Sequence, residues 1–286
     1  IKMEQTINVS TQTRYKMNNG IEIPSIGYGT YQIRQKSEIE NGIKTAYSCG
    51  YRLFDTAVMY NNEQLIGQSI KKLKLPRNDL FLTTKIIPQD MTYEKAKQSI
   101  DKSLKKLNTD YIDLVLIHWP GVTNPQQRID VWKALEEAVE QGKVKSIGLS
   151  NFLKKHIEQI LNNCKIKPVI NQIECHPLYY DKDTIEYCKS QNIIIEAYCP
   201  LAEFHKNLIQ NKNIVEIAKS LGKSVPQVIL RWHLQHQIIP LPKSVHSNYI
   251  KENYDLDGFT LSEEQMKVID GLNTNFKIDW DPHGLE

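Results

Sequence analysis

The chain has 286 residues, 40% hydrophobic and 24% charged, with 36 Lys plus Arg against 33 Asp plus Glu and a formal net charge of +3. That is enough apolar chain for a sizeable core, and so even a charge balance gives no basis for nucleic acid or an anionic membrane as partner. The five cysteines (Cys49, Cys164, Cys175, Cys188, Cys199) are scattered with no C-x-x-C pair, which argues against a disulfide framework or a zinc site and for a reducing compartment.

No apolar run approaches the ~18 residues of a membrane span. The first twelve residues are polar, without the apolar centre of a signal peptide. The expectation is a cytoplasmic protein forming a single domain over residues 1–286, with 1–12 as a flexible extension.

In chain order, residues 15–24 carry Asn19-Gly20 between alternating apolar positions, which predicts a β-hairpin. Ile26-Gly27-Tyr28-Gly29 reads as a first strand. Ser37 with Glu40 three residues on predicts a capping box ahead of the stripe Ile39, Ile43, Ala46. Strand-like runs follow at 52–55, 80–87, 111–118, 143–150, 168–174, 193–200 and 238–244, mostly ~25–30 residues apart, the length of one βα unit. Asn124-Pro125 places an N-cap before a proline at the first helical position, and Gly142 stands where that helix ends. Ser224 with Gln227 opens a further helix in the same way as Ser37. Eight strands alternating with helices predict an α/β fold, a parallel (β/α)8 TIM barrel whose bottom the N-terminal hairpin closes.

Active sites of such barrels sit at the C-terminal ends of the strands. Asp55 ends the second strand, Tyr60 follows on its loop, Lys85 is near the end of the third, and His118 closes the fourth. Each has an ordinary explanation: a helix cap, a packing tyrosine, a solvated lysine, a core histidine. Four of these types at one face point instead to one mechanism. A free tyrosine has a pKa of ~10, and a lysine beside its oxygen is expected to lower it. Asp55 would hold the lysine, Tyr60 would protonate a carbonyl oxygen as hydride arrives, and His118 would orient that oxygen.

The segment from Gly50 to Glu63 (GYRLFDTAVMYNNE) resembles the aldo-keto reductase family, as do Thr84-Lys85-Ile86, Ile117-His118-Trp119-Pro120, Gly148-Leu149-Ser150-Asn151-Phe152 and Leu241-Pro242-Lys243-Ser244-Val245. The resemblance spans essentially the whole chain and leaves the catalytic tetrad Asp55, Tyr60, Lys85, His118 complete. It implies NADPH bound without a Rossmann motif. Ser150, Asn151 and Gln172 are expected to hold the nicotinamide carboxamide, Tyr198 to stack on the ring, and Asp55 to approach the ribose. Lys243 and Ser244 are expected at the 2′-phosphate and Glu252 and Asn253 at the adenine, with Gly29, Thr30, Pro200, Leu201 and Val245 also along the cofactor.

Two positions depart from the family pattern. Tyr249 stands where an arginine usually grips the 2′-phosphate, which admits NADH as an alternative although Lys243 still favours NADPH. Cys199 stands where serine is common. On the substrate side, Tyr31, Tyr60, His118 and Trp119 are expected, with Trp280, Val58 and Met59 nearby. Short loops suggest an open site for small-molecule carbonyl substrates, as in microbial and protist members described as 2,5-diketo-gluconate or prostaglandin F reductases. The rival expectations are a non-enzymatic relative that binds nucleotide and a protein partner, a glycosidase using Glu174 and Glu196, and a metal site at Glu174-Cys175-His176. The chain is expected to act as a monomer without a metal.

Overall fold

The computed structural model describes residues 9–121 and 124–285. The predicted Asn-Gly turn joins β1 (Arg14–Lys16) to β2 (Glu22–Pro24) as an antiparallel hairpin. Eight parallel strands follow: β3 (Gly27–Gly29), β4 (Leu53–Asp55), β5 (Phe81–Ile86), β6 (Ile112–Ile117), β7 (Val144–Ser150), β8 (Ile170–Glu174), β9 (Ile194–Tyr198) and β10 (Ile239–Pro240). They lie side by side in sequence order. The ends of the sheet meet where Gly29 N–H donates to Pro242 O at 3.0 Å. A Cβ on Gly29 would lie 2.9 Å from Leu241 O, so the closure requires glycine there.

Helices α1 (Lys36–Cys49), α2 (Glu63–Lys72), α3 (Tyr93–Leu107), α4 (Pro125–Glu140), α5 (Lys154–Leu161) and α6 (Lys182–Ser190) connect successive strands. The last crossover is longer and holds α7 (Lys206–Ile209), α8 (Lys212–Leu221) and α9 (Val225–Gln235). After β10 come α10 (Ser247–Tyr254) and α11 (Glu263–Asp270). β5 and β8 are buried along their whole length, as strands covered on both faces must be.

Two predicted helix starts form as expected. Asn124 caps α4 by accepting from Gln126 N–H, and Ser224 and Gln227 make a reciprocal capping box on α9. The box predicted at Ser37 does not form. α1 begins one residue earlier, Gln35 is its extended N-cap without a side-chain bond, and Glu40 pairs instead with Lys72 of α2 at 2.6 Å. The apolar stripe is unaffected: Ile39, Ile43 and Ala46 are fully buried. At about 1.5–3 kcal/mol for each large aliphatic side chain, that stripe docks the helix with or without a cap.

One apolar shell lies between strands and helices, and a smaller one fills the barrel interior. The inner cluster joins Met17 and Ile23 of the hairpin to Leu53, Phe81, Leu114, Ile170 and Ile239 at the N-terminal half of the strands. Asn18 Nδ2 bonds Pro168 O and Asn19 Nδ2 bonds Ser146 Oγ, so the hairpin seals this end. Of the expected extension, residues 1–8 lie outside the described residues. The remaining four are held against the barrel: Val9 and Thr11 are buried, and Thr11 bonds Asp257 through both N–H and hydroxyl. No helix among the described residues is long and apolar enough to cross a membrane.

Candidate active site

Along the barrel axis the interior changes from apolar to polar. Two residues beyond the Leu53 and Ile170 layer, the inward positions are Asp55, Gln172 and Glu196, all buried, and Lys85 follows above them. Lys85 is fully buried, and its three N–H bonds are all taken. They reach Asp55 (Oδ2 2.7 Å, Oδ1 2.9 Å), Thr56 O (2.9 Å) and Tyr60 Oη (3.2 Å).

Tyr60 ends a one-turn 3₁₀ helix, Val58–Tyr60, whose cap Asn61 adopts φ 54°. The loop is pinned by Asn62, a fully buried residue. Its Nδ2 donates to Thr30 O and Ile33 O, and its Oδ1 accepts from Thr56 Oγ1 at 2.6 Å. Asn62 lies within the Gly50–Glu63 segment, where a polar residue next to the helix start is its only local signal.

The expected lowering of the tyrosine by lysine is overturned. Burial pushes the Tyr60 hydroxyl well above its usual range, and the Asp55 charge adds to this. Tyr60 is therefore held as a protonated phenol, the form a proton donor needs. His118 stands edge-on to Tyr60, with ring centroids 5.8 Å apart. Burial, with Lys85 nearby, holds it well below the usual histidine range, so it is neutral and retains one donor nitrogen.

Ser150 and Asn151 end β7 beside Gln172 on β8. Ser150 Oγ donates to Gln172 O, Asn151 Nδ2 to His118 O, and Tyr198 Oη to Asn151 Oδ1 at 2.8 Å. Asn151 occupies the left-handed region at φ 63°, which turns its side chain back across the strand ends. Gln172 Nε2 donates to both Asp55 Oδ1 and Glu196 Oε2, leaving its Oε1 without a hydrogen bond among the described residues. These groups form one polar rim beside Tyr60, a donor and acceptor set that fits a carboxamide. Thr30 is buried with its hydroxyl on Asp55 O, and Pro200 and Leu201 are buried after β9.

The positions expected at the adenosine end lie apart from this rim, around the start of α10. Lys243 and Tyr249 are exposed, Ser244 Oγ accepts from His246 N–H, and Val245 packs on the outer shell. Glu252 accepts from Ser224 Oγ at 2.6 Å, and Asn253 is buried. At the mouth, Tyr31 lies 5.0 Å from Tyr60, ring to ring, and Trp119 meets Trp280 edge-on at 5.8 Å.

Trp280 belongs to a segment strapped over the barrel by an anchor the sequence did not reveal. Glu174 accepts from Lys277 Nζ (2.9 Å), Ile278 N–H (2.7 Å), Asp279 N–H (3.0 Å) and His176 Nε2 (2.9 Å). Both of its oxygens are thereby spent, and Glu196 is fully buried, so the carboxylate pair of a glycosidase is not available. Among the described residues no group of three or more His, Cys, Asp or Glu is placed to hold a metal.

A barrel with a lysine-held phenol and a polar rim at its open end points to a carbonyl-reducing oxidoreductase. The model of the aldo/keto reductase family matches residues 25–274. Glyoxal reductase of Bacillus subtilis (strain 168) is 41% identical over 276 residues, covering 96% of this chain and 98% of that protein. 9,11-endoperoxide prostaglandin H2 reductase of Trypanosoma cruzi (strain CL Brener) is 40% identical over 267 residues, 93% of each. An aldo-keto reductase of Bombyx mori, solved in complex with NADP, superposes with a TM-score of 0.87 at 31% identity, covering 95% of this chain and 96% of that one. The chain belongs to the aldo/keto reductase family, and its activity is reduction of carbonyl compounds rather than a purely non-enzymatic role.

Proposed function

We propose that the protein reduces small aldehydes and ketones to alcohols with NADPH, Tyr60 supplying the proton. The observation that carries this is the 3.2 Å contact from Lys85 Nζ to Tyr60 Oη, with Asp55 holding the lysine from below. NADPH held along this rim would supply the hydride for the carbonyl carbon. As the C=O π pair moves onto oxygen, Tyr60 gives that oxygen its proton, and Lys85 stabilises the charge left on the phenol oxygen. Neutral His118 donates to the same oxygen and fixes its direction.

Ser150, Asn151 and Gln172 would hold the nicotinamide carboxamide, Tyr198 would cover the ring, and Asp55, Gly29, Thr30, Pro200 and Leu201 would line the cofactor. Lys243, Ser244, Val245, Tyr249, Glu252 and Asn253 take the adenosine end. With Tyr249 in place of a phosphate-gripping arginine, Lys243 alone favours NADPH over NADH. Tyr31, Trp119 and Trp280 give an aromatic mouth suited to dicarbonyls, aromatic aldehydes and quinones. The enzyme acts as a cytoplasmic monomer.

The test is cofactor oxidation with an aromatic aldehyde and with glyoxal, comparing NADPH with NADH and wild type with Tyr60→Phe. NADPH-dependent turnover that collapses in the variant supports the mechanism. Equal rates with NADH remove the NADPH preference. Nucleotide binding without turnover of any aldehyde overturns the proposal.

A further inference from the structure

We propose that Glu196 is a positioning residue for the cofactor: from inside the barrel it fixes the plane of the Gln172 carboxamide and so presents Gln172 Oε1 to the nicotinamide amide. This rests on the assignment of Gln172 to that amide made above.

Glu196 on β9 is in register with Gln172 on β8 and is fully buried. Gln172 Nε2 lies 2.9 Å from Asp55 Oδ1 on one side and 2.9 Å from Glu196 Oε2 on the other. A primary amide has two N–H donors at one end and an acceptor oxygen at the other. A single carboxylate partner would leave the terminal torsion, which is intrinsically broad, free to swing about that one bond. Two partners fix it. The oxygen must then face away from both carboxyl groups, toward the rim that carries Ser150, Asn151 and Tyr198.

Glu196 is poorly suited to any task that needs a permanent charge. Among the described residues its Oε1 is buried with no hydrogen-bond partner, and its Oε2 accepts from a neutral amide. The charged groups facing it are Asp55 on β4 and Lys85 on β5; its strand neighbours contribute neutral Gln172 and apolar Ile239. Burial first, then the Asp55 charge, pushes its carboxyl up to about 8, against the Gln172 bond and Lys85. Below that pH Glu196 is a neutral acid that holds the amide without adding charge beneath the nicotinamide. Above it, the anion remains an acceptor for Gln172 but places negative charge one amide away from the ring. The oxidised ring is cationic and the reduced ring is not, so ionisation of Glu196 favours NADP⁺ over NADPH.

The experiment is equilibrium titration of the full-length protein with NADPH and with NADP⁺, read by quenching of protein fluorescence, at about pH 6.5 and about pH 9. In wild type the affinity for NADP⁺ relative to NADPH rises by about fivefold between the two. In Glu196→Gln, which keeps the acceptor but cannot ionise, the ratio stays flat. Glu196→Leu removes the second partner of Gln172. It binds both cofactors about fivefold more weakly, and the buried Gln172 N–H left without its acceptor also lowers the melting temperature. A merely structural role would lower the melting temperature but leave cofactor affinity and its pH dependence alone. A flat ratio in wild type, or undiminished cofactor affinity in Glu196→Leu, overturns the proposal. Failure of wild type to bind either nucleotide overturns the NADPH assignment itself, and this inference with it.

Discussion

Lys85 Nζ lies 3.2 Å from Tyr60 Oη although the two come from different elements, one on β5 and one on the turn after β4. The Lys85–Tyr60 contact therefore forms once β4 and β5 pair and Asn62 holds the turn. Tyr60→Phe keeps the ring contacts to Tyr31 and His118 and removes only the hydroxyl. It should lower kcat for aldehyde reduction by about 10²–10⁴-fold with NADPH affinity unchanged. Single-turnover hydride transfer checks this, and a rate within a few-fold of wild type would rule out Tyr60 as the acid.

The Asp55–Lys85 pair should also govern stability. Lys85→Met leaves the Asp55 carboxylate buried without its cation, which typically costs about 3–5 kcal/mol. Replacing both residues (Lys85→Met with Asp55→Leu) should recover most of that loss while remaining inactive. Urea unfolding of the three proteins measures it. If the double variant is as unstable as the single one, charge burial is not the cause.

Below about pH 4.5, in the carboxylate range, acid should act on stability through Glu174. Burial alone would raise its carboxyl, but the bonds from His176 and Lys277, with that from Ile278 N–H, outweigh burial and bring it from 4.5 to about 2. A carboxyl whose value falls on folding stabilises the fold above its unfolded value, and the contribution is lost as pH falls through the folded one. The window therefore runs from about 4.5 down to about 2. The contribution is on the order of 3 kcal/mol. Glu174→Gln should be destabilised by about that much near neutrality, and the difference from wild type should vanish at the acid end of the window. Denaturant midpoints across that range decide it; a gap that does not depend on pH would assign the loss to packing.

Glu174 also shows where the sequence stops informing. The strands of the barrel are legible because β5 and β8 are unbroken buried runs and because Asn19-Gly20 permits little but a turn. Asn124 and Ser224 are legible because a cap is a contact between residues two or three apart. Ser37 misleads for the complementary reason: Glu40, its supposed partner, is drawn off by Lys72 from another helix. Glu174 and Lys277 are 103 positions apart, and no local pattern links them. The direction of the Tyr60 shift was equally out of reach. Residue types indicate which charges are near, whereas depth in the barrel decides whether burial or lysine prevails.

The adenosine end offers the remaining test. Tyr249 lies in the first turn of α10 and is exposed beside His246, their ring centroids 5.6 Å apart. A helix start already favours an anion, and Lys243 is exposed a few residues before it. Tyr249→Arg adds a bidentate donor to that cationic setting. It should tighten NADPH by about tenfold, leave NADH unchanged, and make NADPH binding more sensitive to salt. Tyr249→Ala separates the other contribution: if the ring covers the adenine, both cofactors weaken by the same factor. Fluorescence titration of the two variants with each cofactor at low and high salt measures both effects. An arginine that tightens NADH as much as NADPH would mean that position 249 does not face the 2′-phosphate, and Lys243 would then be the residue to replace.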